Sequence, residues 1–241
     1  MKAGGDGDSQ SSLWRDLEQE IIACNLCPRL VEWREGIAAQ KRRAFSDWEY
    51  WGKPVPGFGD HEARLLVIGL APGAHGSNRT GRMFTGDSSG DTLFSAMHRA
   101  GFANKPISRQ SSDELKLKDA FITAVGRCAP PKNRPTAEEL TNCQPYLLRE
   151  IDLLRRARVV LALGKIAFDG YLRAMRGQGL EPPRLKFKHG LWQDFDTPAP
   201  SLVACYHPSR QNTQTGRLTQ EMLDAVFSRI RITLDIGTTG T

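Results

Sequence analysis

The 241-residue chain carries 33 Lys and Arg against 27 Asp and Glu, a formal net charge of +6, which favours a polyanionic partner. A hydrophobic share of 39% suffices for a packed core, but no apolar run approaches the ~20 residues of a membrane span, and residues 1–10 lack a signal peptide's hydrophobic core. Five cysteines, an odd count without a secretion signal, argue against a disulfide framework and leave a metal site in a cytosolic protein as the first expectation.

In chain order, residues 1–12 read as a disordered leader and residues 237–241 as a flexible tail, flanking one domain over 13–236. Leu13, Trp14, Leu17 and Ile21 recur at helical spacing over 13–22. This helix leads into Cys24-Asn25-Leu26-Cys27-Pro28, and a second helix is expected over 29–43. Residues 48–60, rich in Pro, Gly and aromatics, read as loop. The apolar run 64–68 predicts the first strand. A long glycine-rich loop, Gly69 to Asp87, and a helix from 92 to about 100 follow it. Residues 104–112 read as a polar linker, 119–125 as the second strand and 126–135 as a loop. Thr136 with Glu139 forms a capping box for a helix to about 156, kinked or broken at Pro145. A third strand (158–164), a helix (165–175), an ambiguous hairpin or edge (185–196), a last strand (201–206), the loop 207–212 and a final helix (219–234) complete the chain.

Short apolar strands alternating with helices signal an α/β fold whose parallel sheet is covered on both faces. Ligands of such sheets bind beyond the carboxyl ends of the strands. The loops 69–87, 127–134 and 207–212 are therefore predicted to converge on one edge. In the first of them, glycines let the backbone approach a ligand, and His75, Asn78, Arg79, Arg82, Phe84 and Asp87 offer cations, a ring and a carboxylate. Such a loop suits a flat ring with an anion attached.

Cys24 and Cys27 form a C-x-x-C turn, whereas Cys128 and Cys143 make a wide second pair. Four thiolates from two regions fit a [4Fe–4S] cluster or structural zinc. The wide pair favours iron–sulfur over a zinc ribbon. Cys205, inside a strand, reads as a small buried hydrophobe.

Four features together resemble the iron–sulfur family 5 (type B) enzymes of the uracil-DNA glycosylase superfamily. They are Gly-Leu-Ala-Pro-Gly-Ala-His-Gly with Asn-Arg-Thr-Gly-Arg-Met-Phe-Thr-Gly-Asp, Arg-Cys-Ala-Pro-Pro-Lys-Asn-Arg-Pro-Thr, His-Pro-Ser-Arg-Gln-Asn-Thr, and the cysteine spacing. The resemblance implies a single three-layer α/β/α domain with a central, mainly parallel four-stranded sheet. It also implies a [4Fe–4S] cluster on Cys24, Cys27, Cys128 and Cys143. The implied activity is monofunctional excision of uracil and other deaminated bases from DNA, leaving an abasic site. The partner is damaged DNA, double-stranded with single strands as an open extension, and no membrane. The protein is expected to be monomeric and cytoplasmic, near the nucleoid.

Phe84 would be the platform for the flipped base, with Leu70, Ala71, Gly73, His75 and Ala124 as the other base contacts. Superfamily members commonly carry a water-activating acid or amide where this chain has Leu70 and Ala71. That departure points to family 5 and moves the question of the water to Asp87 and Asn133, which with His207 make up the expected catalytic set. Asp87 would serve the sugar or the water and could equally cap the next helix. Asn133 would hold water or a phosphate and could equally form a turn, and His207 would stabilise the leaving base. Ala124 stands where related enzymes place a uracil-reading asparagine, which implies broad specificity including hypoxanthine and xanthine. Arg79, Arg82, Lys132, Arg134, Arg210 and Arg217 are expected phosphate contacts, and Ser209, Arg210, Gln211 and Asn212 a polar minor-groove wedge. Two alternatives stay open: a strictly uracil-specific family 4-like glycosylase, and a non-catalytic iron–sulfur nucleic-acid-binding module.

Overall fold

The computed structural model describes residues 6–196 and 199–236, with side chains from residue 10 onward. In chain order its elements are α1 (Asp6–Ala23), α2 (Pro28–Gln40), β1 (Phe58–Gly59), β2 (Leu65–Gly69), α3 (Ser77–Thr80), α4 (Ser88–Arg99), β3 (Ala120–Ala124), α5 (Ala137–Leu153), β4 (Val159–Leu163), α6 (Lys165–Gly177), β5 (Trp192–Gln193), β6 (Ser201–Cys205), α7 (Arg210–Gln214) and α8 (Gln220–Ile236). The sheet order is β1-β3-β2-β4-β6-β5. The four five-residue strands run parallel, and the two-residue edge strands pair antiparallel to them.

The sheet therefore has six strands, not the four expected. β1 lies inside the segment read as loop, and two residues are too few to show a period of two. The edge suspected over 185–196 is present as β5. α1 begins at Asp6, so residues 6–12 are helical rather than leader. Gln10 Nε2 donates to the Leu153 carbonyl at 3.1 Å, which docks that turn on the end of α5. Residues 1–5 and the tail 237–241 lie outside the described residues. α5 runs unbroken through Pro145. Its capping box is formed: Thr136 Oγ1 accepts from the Glu139 amide at 3.2 Å, and Glu139 Oε2 from the Thr136 amide at 2.7 Å.

Alternation along the strands makes two cores. Leu65 and Val67 of β2 face Leu93, Phe94 and Met97 of α4 and Phe227 and Ile230 of α8. Leu66 and Ile68 face Trp14, Leu17 and Ile21 of α1, Leu147 of α5, and Phe168 and Tyr171 of α6. Both faces are thus covered, as buried strands require. From β2 the chain passes first to β3 on one side and then to β4 on the other. The carboxyl end of β2 is therefore a topological switch point, where open α/β sheets open a ligand crevice. The loop from Gly69 to Asp87 begins there. It holds the short helix α3, which the glycine-rich sequence does not signal.

Candidate active site and cysteine cavity

The three predicted loops do converge. A pocket of about 560 Å³ opens beyond the carboxyl ends of the strands, walled by the first loop, by Lys132, Asn133 and Arg134, and by His207, Ser209, Arg210 and Gln211. This volume lies within the range of small-molecule sites.

Glycines set its geometry. Phe84 has φ +53, a strained conformation for an aromatic residue. Its ring lies over Gly69, where a Cβ would stand 2.8 Å from Cε2. The strand end must be glycine for the ring to lie flat there. Phe84 and His207 then stack, with ring centroids 5.8 Å apart and planes 27° apart. Gly164, just beyond β4, stands against His207, and a Cβ added to this glycine would lie 3.3 Å from the His207 Cβ.

Of the two roles weighed for Asp87 from the sequence, the cap is formed, and the side chain also lines the pocket. It is the N-cap of α4, with Oδ1 accepting from the Gly90 amide at 3.0 Å. Its Oδ2 faces the first loop, where a Cβ on Gly76 would come within 2.1 Å of it and one on Gly73 within 2.9 Å. Burial raises the Asp87 carboxyl above the usual aspartate range, against the lowering pull of the Gly90 and Ser89 amides. Burial pushes His207 down to about 4. Its imidazole is therefore neutral at physiological pH and can donate an N–H without being a cation.

Of the base contacts expected from the sequence, Leu70, Ala71, Gly73 and Phe84 wall the pocket, and His75 and Ala124 do not. His75 Nδ1 shares a 3.1 Å hydrogen bond with the Tyr50 hydroxyl. Ala124, the last residue of β3, pairs with Gly69 and is buried in the core. Alignment by sequence does not reveal which residue of a strand end looks into the crevice. Ser77, Met83 and Ser89 join the wall instead. No motif marked them, because their side chains are generic and only the loop's course brings them in.

Two expected phosphate contacts are internal. Arg79 is buried, its guanidinium carbon 3.9 Å from the Phe45 ring centroid and 4.0 Å from that of Trp48. Its Nε donates to the His75 carbonyl at 2.9 Å and Nη2 to the Gly86 carbonyl at 3.0 Å. It clamps the two ends of the first loop together. Arg82 pairs with Asp113 and donates to Ser108 Oγ at 2.7 Å and the Ser111 carbonyl at 2.9 Å. It pins the 105–113 linker to the loop. Five donors in a rigid fork make arginine as apt for carbonyls as for phosphates, so residue type alone does not separate the roles.

Lys132, Asn133 and Arg134 are exposed at the rim, with Lys132 at φ +53 and Asn133 at φ +55. Arg210 and Gln211 are exposed opposite them. Ser209 caps α7, the short helix found in the loop expected after β6, and Asn212 Nδ2 donates to the His207 carbonyl at 2.8 Å. Asn212 thus braces His207 from behind instead of forming the wedge. Arg217 lies over the Tyr206 ring at 4.6 Å.

Cys24, Cys27, Cys128 and Cys143 line a second, smaller cavity and are free of disulfides, as is the buried Cys205. Arg34 Nη1 donates to Cys128 Sγ at 3.1 Å, and Asn142 Nδ2 to Cys27 Sγ at 3.4 Å. Among the described residues no three His, Cys, Asp or Glu side chains converge on a single ion. Four thiols around one cavity, two of them receiving N–H donors, fit the donor chemistry of a thiolate-bound metal centre. Arg29 clasps Glu139 at 2.6 Å and ties the start of α2 to that of α5 beside the cavity.

A family model described as the uracil DNA glycosylase superfamily matches residues 56–231. The chain is 49% identical over 228 residues to a Type-5 uracil-DNA glycosylase of Mycobacterium leprae (strain TN), covering 94% of this chain and 96% of that one. To the Type-5 uracil-DNA glycosylase of Thermus thermophilus it is 53% identical over 207 residues, 85% of this chain and 90% of the relative. To a Type-4 uracil-DNA glycosylase of Pyrobaculum aerophilum it is 34% identical over 164 residues, 67% of this chain and 74% of that one.

Proposed function

The chain belongs to the uracil-DNA glycosylase superfamily, and from its pocket we propose how it excises uracil from DNA in base excision repair, with Asp87 and His207 at the reacting centre. The observation that carries the reading is that Phe84, His207 and Asp87 share one pocket at the switch point of the sheet. A base inside a duplex is out of reach of any pocket and must be flipped out of the stack. The Phe84 ring supplies its stacking face. Cleavage of the N-glycosidic bond leaves negative charge on the base and cationic character on the sugar. Neutral His207 donates its N–H to the base oxygen as that charge grows. Asp87, with its raised affinity for a proton, faces the sugar side, where it accepts a proton from water or steadies the cation. Asn133 stands at the rim, within the reach of an incoming water or of the phosphate.

We further propose that the substrate range extends to deaminated purines. The pocket wall sets Leu70, Ala71, Gly73, Met83 and Phe84 beside the polar groups of Ser77, Asp87 and His207. Its side-chain amides, Asn133 and Gln211, stand at the exposed rim. A wall without a buried side-chain amide to pair a donor with an acceptor on the base edge rejects other bases weakly. A panel of duplexes, each with one uracil, hypoxanthine or xanthine, tests this; cleavage of uracil alone defeats it.

The four cysteines are proposed to hold a [4Fe–4S] cluster, which when bound would cross-link α2 to the loop after β3 and to α5. Anaerobically purified protein should be brownish, with broad absorption near ~400 nm. A colourless, zinc-loaded sample overturns this reading.

The catalytic assignment is tested by single-turnover excision on a uracil duplex. Asp87→Ala and His207→Ala should each slow the step by ~10²-fold or more. Wild-type rates in both variants would remove the assignment.

A further inference from the structure

We propose that Arg34 is a positioning residue that couples the cysteine cavity to the wall of the base pocket through Asn78, an inference that rests on reading the four thiols as a cluster site. Arg34 sits on α2 and is only 5% exposed. Among the described residues its one carboxylate partner is the exposed Glu35, to which Nη2 donates at 3.5 Å. The other arm of the guanidinium turns to the cavity, where Nη1 donates to Cys128 Sγ at 3.1 Å and to the Cys24 carbonyl at 3.2 Å, while Nε has no partner. A buried cation needs a counter-charge. Glu35 supplies one from the solvent side, and the thiolates of a bound cluster would supply another from the cavity side, where Nη1 already points.

The other side of the same residue reaches the pocket. The Arg34 carbonyl accepts from Asn78 Nδ2 at 3.2 Å. Asn78 is fully buried in α3, next to the wall residue Ser77. Its amide donates to the carbonyl of Gly73, another wall residue, at 3.0 Å, and its carbonyl accepts from the Gly52 amide at 3.0 Å. Cys128, Arg34, Asn78 and Gly73 thus form a continuous series of three hydrogen bonds joined through the covalent frames of Arg34 and Asn78. The charge in the cavity fixes Arg34, Arg34 fixes α2 against Asn78, and Asn78 fixes the turn from Gly73 to Ser77 that faces Asp87.

The test compares wild type, Arg34→Gln, Arg34→Lys and Asn78→Ala as iron-loaded full chains. It reads iron per chain, the reduction potential of the centre, hydrogen exchange of the amides of residues 73–80, and KM and kcat on a uracil duplex. Arg34→Gln should keep iron and shift the potential to more negative values, because a cation beside a thiolate favours the reduced state. It should also speed exchange over 73–80 and lower kcat tenfold or more with little change in KM. Arg34→Lys should bring the potential back towards wild type. Asn78→Ala should leave the potential alone yet reproduce the faster exchange and the kcat loss. If Arg34→Gln does not retain iron, the Arg34→Lys potential and the Asn78→Ala exchange carry the decision. Wild-type exchange and kcat in Asn78→Ala, or an unshifted potential in Arg34→Gln, overturn the coupling. Wild-type protein without iron instead overturns the cluster reading on which it stands.

Discussion

The base pocket and the cysteine cavity share one loop, since the residues after β3 give Cys128 to the cavity and Asn133 to the pocket. They are nevertheless built in opposite ways. The cavity is closed by side chains, with the Arg29–Glu139 pair beside it and the Arg127–Glu150 pair, 2.6 Å apart and almost fully buried, behind it. Thr123 of β3 donates to the same carboxylate at 2.5 Å, so the cavity is anchored in the sheet. The pocket is shaped by side chains that are missing. Gly69 makes room for Phe84, and Gly73 and Gly76 for Asp87. It also holds a strained Phe84 and a carboxylate that burial disfavours as an anion. Active sites commonly concentrate such costs. The comparison teaches that one region holds the fold together and the other spends stability on reactivity, and each can be attacked separately.

The largest expected effect is on activity. Gly76→Ala would set a methyl 2.1 Å from Asp87 Oδ2 and drive the carboxylate out of place. Excision should fall by ~10²-fold or more, towards the Asp87→Ala level, with a melting temperature only a few degrees lower, about the cost of disturbing the Asp87 cap on α4. A Gly76→Ala enzyme with full activity would show that the position of Asp87 does not matter. Cys143→Ser should do the reverse. It removes one thiol of the proposed centre, so the visible absorption should be lost and stability should fall by roughly 2 kcal/mol or more, read as a melting point lower by about 5 °C. An unchanged melting curve would mean that the cavity is not a structural centre.

How far the sequence discloses this contrast depends on what kind of information each feature needs. The strands β2, β3 and β4 are apolar runs, and the capping box of α5 is a local pattern, so both are legible. The convergence of three loops follows from topology; the stacking of Phe84 on His207 does not, and depends on Gly69 and Gly164. Nor does the direction of an individual side chain. Arg79 and Arg82 have the composition of a phosphate grip, yet one is sandwiched between Phe45 and Trp48 and the other is tied to Asp113. Their partners lie in segments that read as featureless loop or linker. Likewise β1 and β5 are too short to carry a period, and α3 is a single turn inside a glycine-rich stretch. Asp87 reads from sequence equally as cap and as catalyst; in the structure Oδ1 makes the cap and Oδ2 faces the first loop.

A smaller effect exposes the cost of the pocket. Burial raises the Asp87 carboxyl, so in the folded state it holds its proton more tightly than in the unfolded chain. The contribution to stability is full below the unfolded value and is lost as pH rises through the folded one. At neutral pH the ionised group is therefore a burden. Asp87→Asn, which can still accept from the Gly90 amide, should melt higher than wild type at pH 7 and no higher at strongly acid pH, while excising poorly. A variant that melts lower at pH 7 would show that the cap outweighs the buried charge.

The smallest expected effect concerns the rim, where Lys132, Arg134 and Arg210 are exposed around the pocket mouth. The Lys132 side chain is exposed and makes no hydrogen bond or ion pair among the described residues, in contrast to Arg79 and Arg82, whose guanidinium groups are hydrogen-bonded inside the protein. Each phosphate that a protein neutralises releases counterions, so each contact contributes about one unit to the slope of log affinity against log salt. Lys132→Ala should weaken binding to an abasic duplex modestly and by the same factor on every sequence, and should flatten that slope by about one. Arg82→Ala should lower stability instead, because it frees the 105–113 linker, and should leave the slope unchanged. Equal slope changes in the two variants would mean that burial in the free protein does not predict which cations meet DNA, and that the first loop rearranges when it binds.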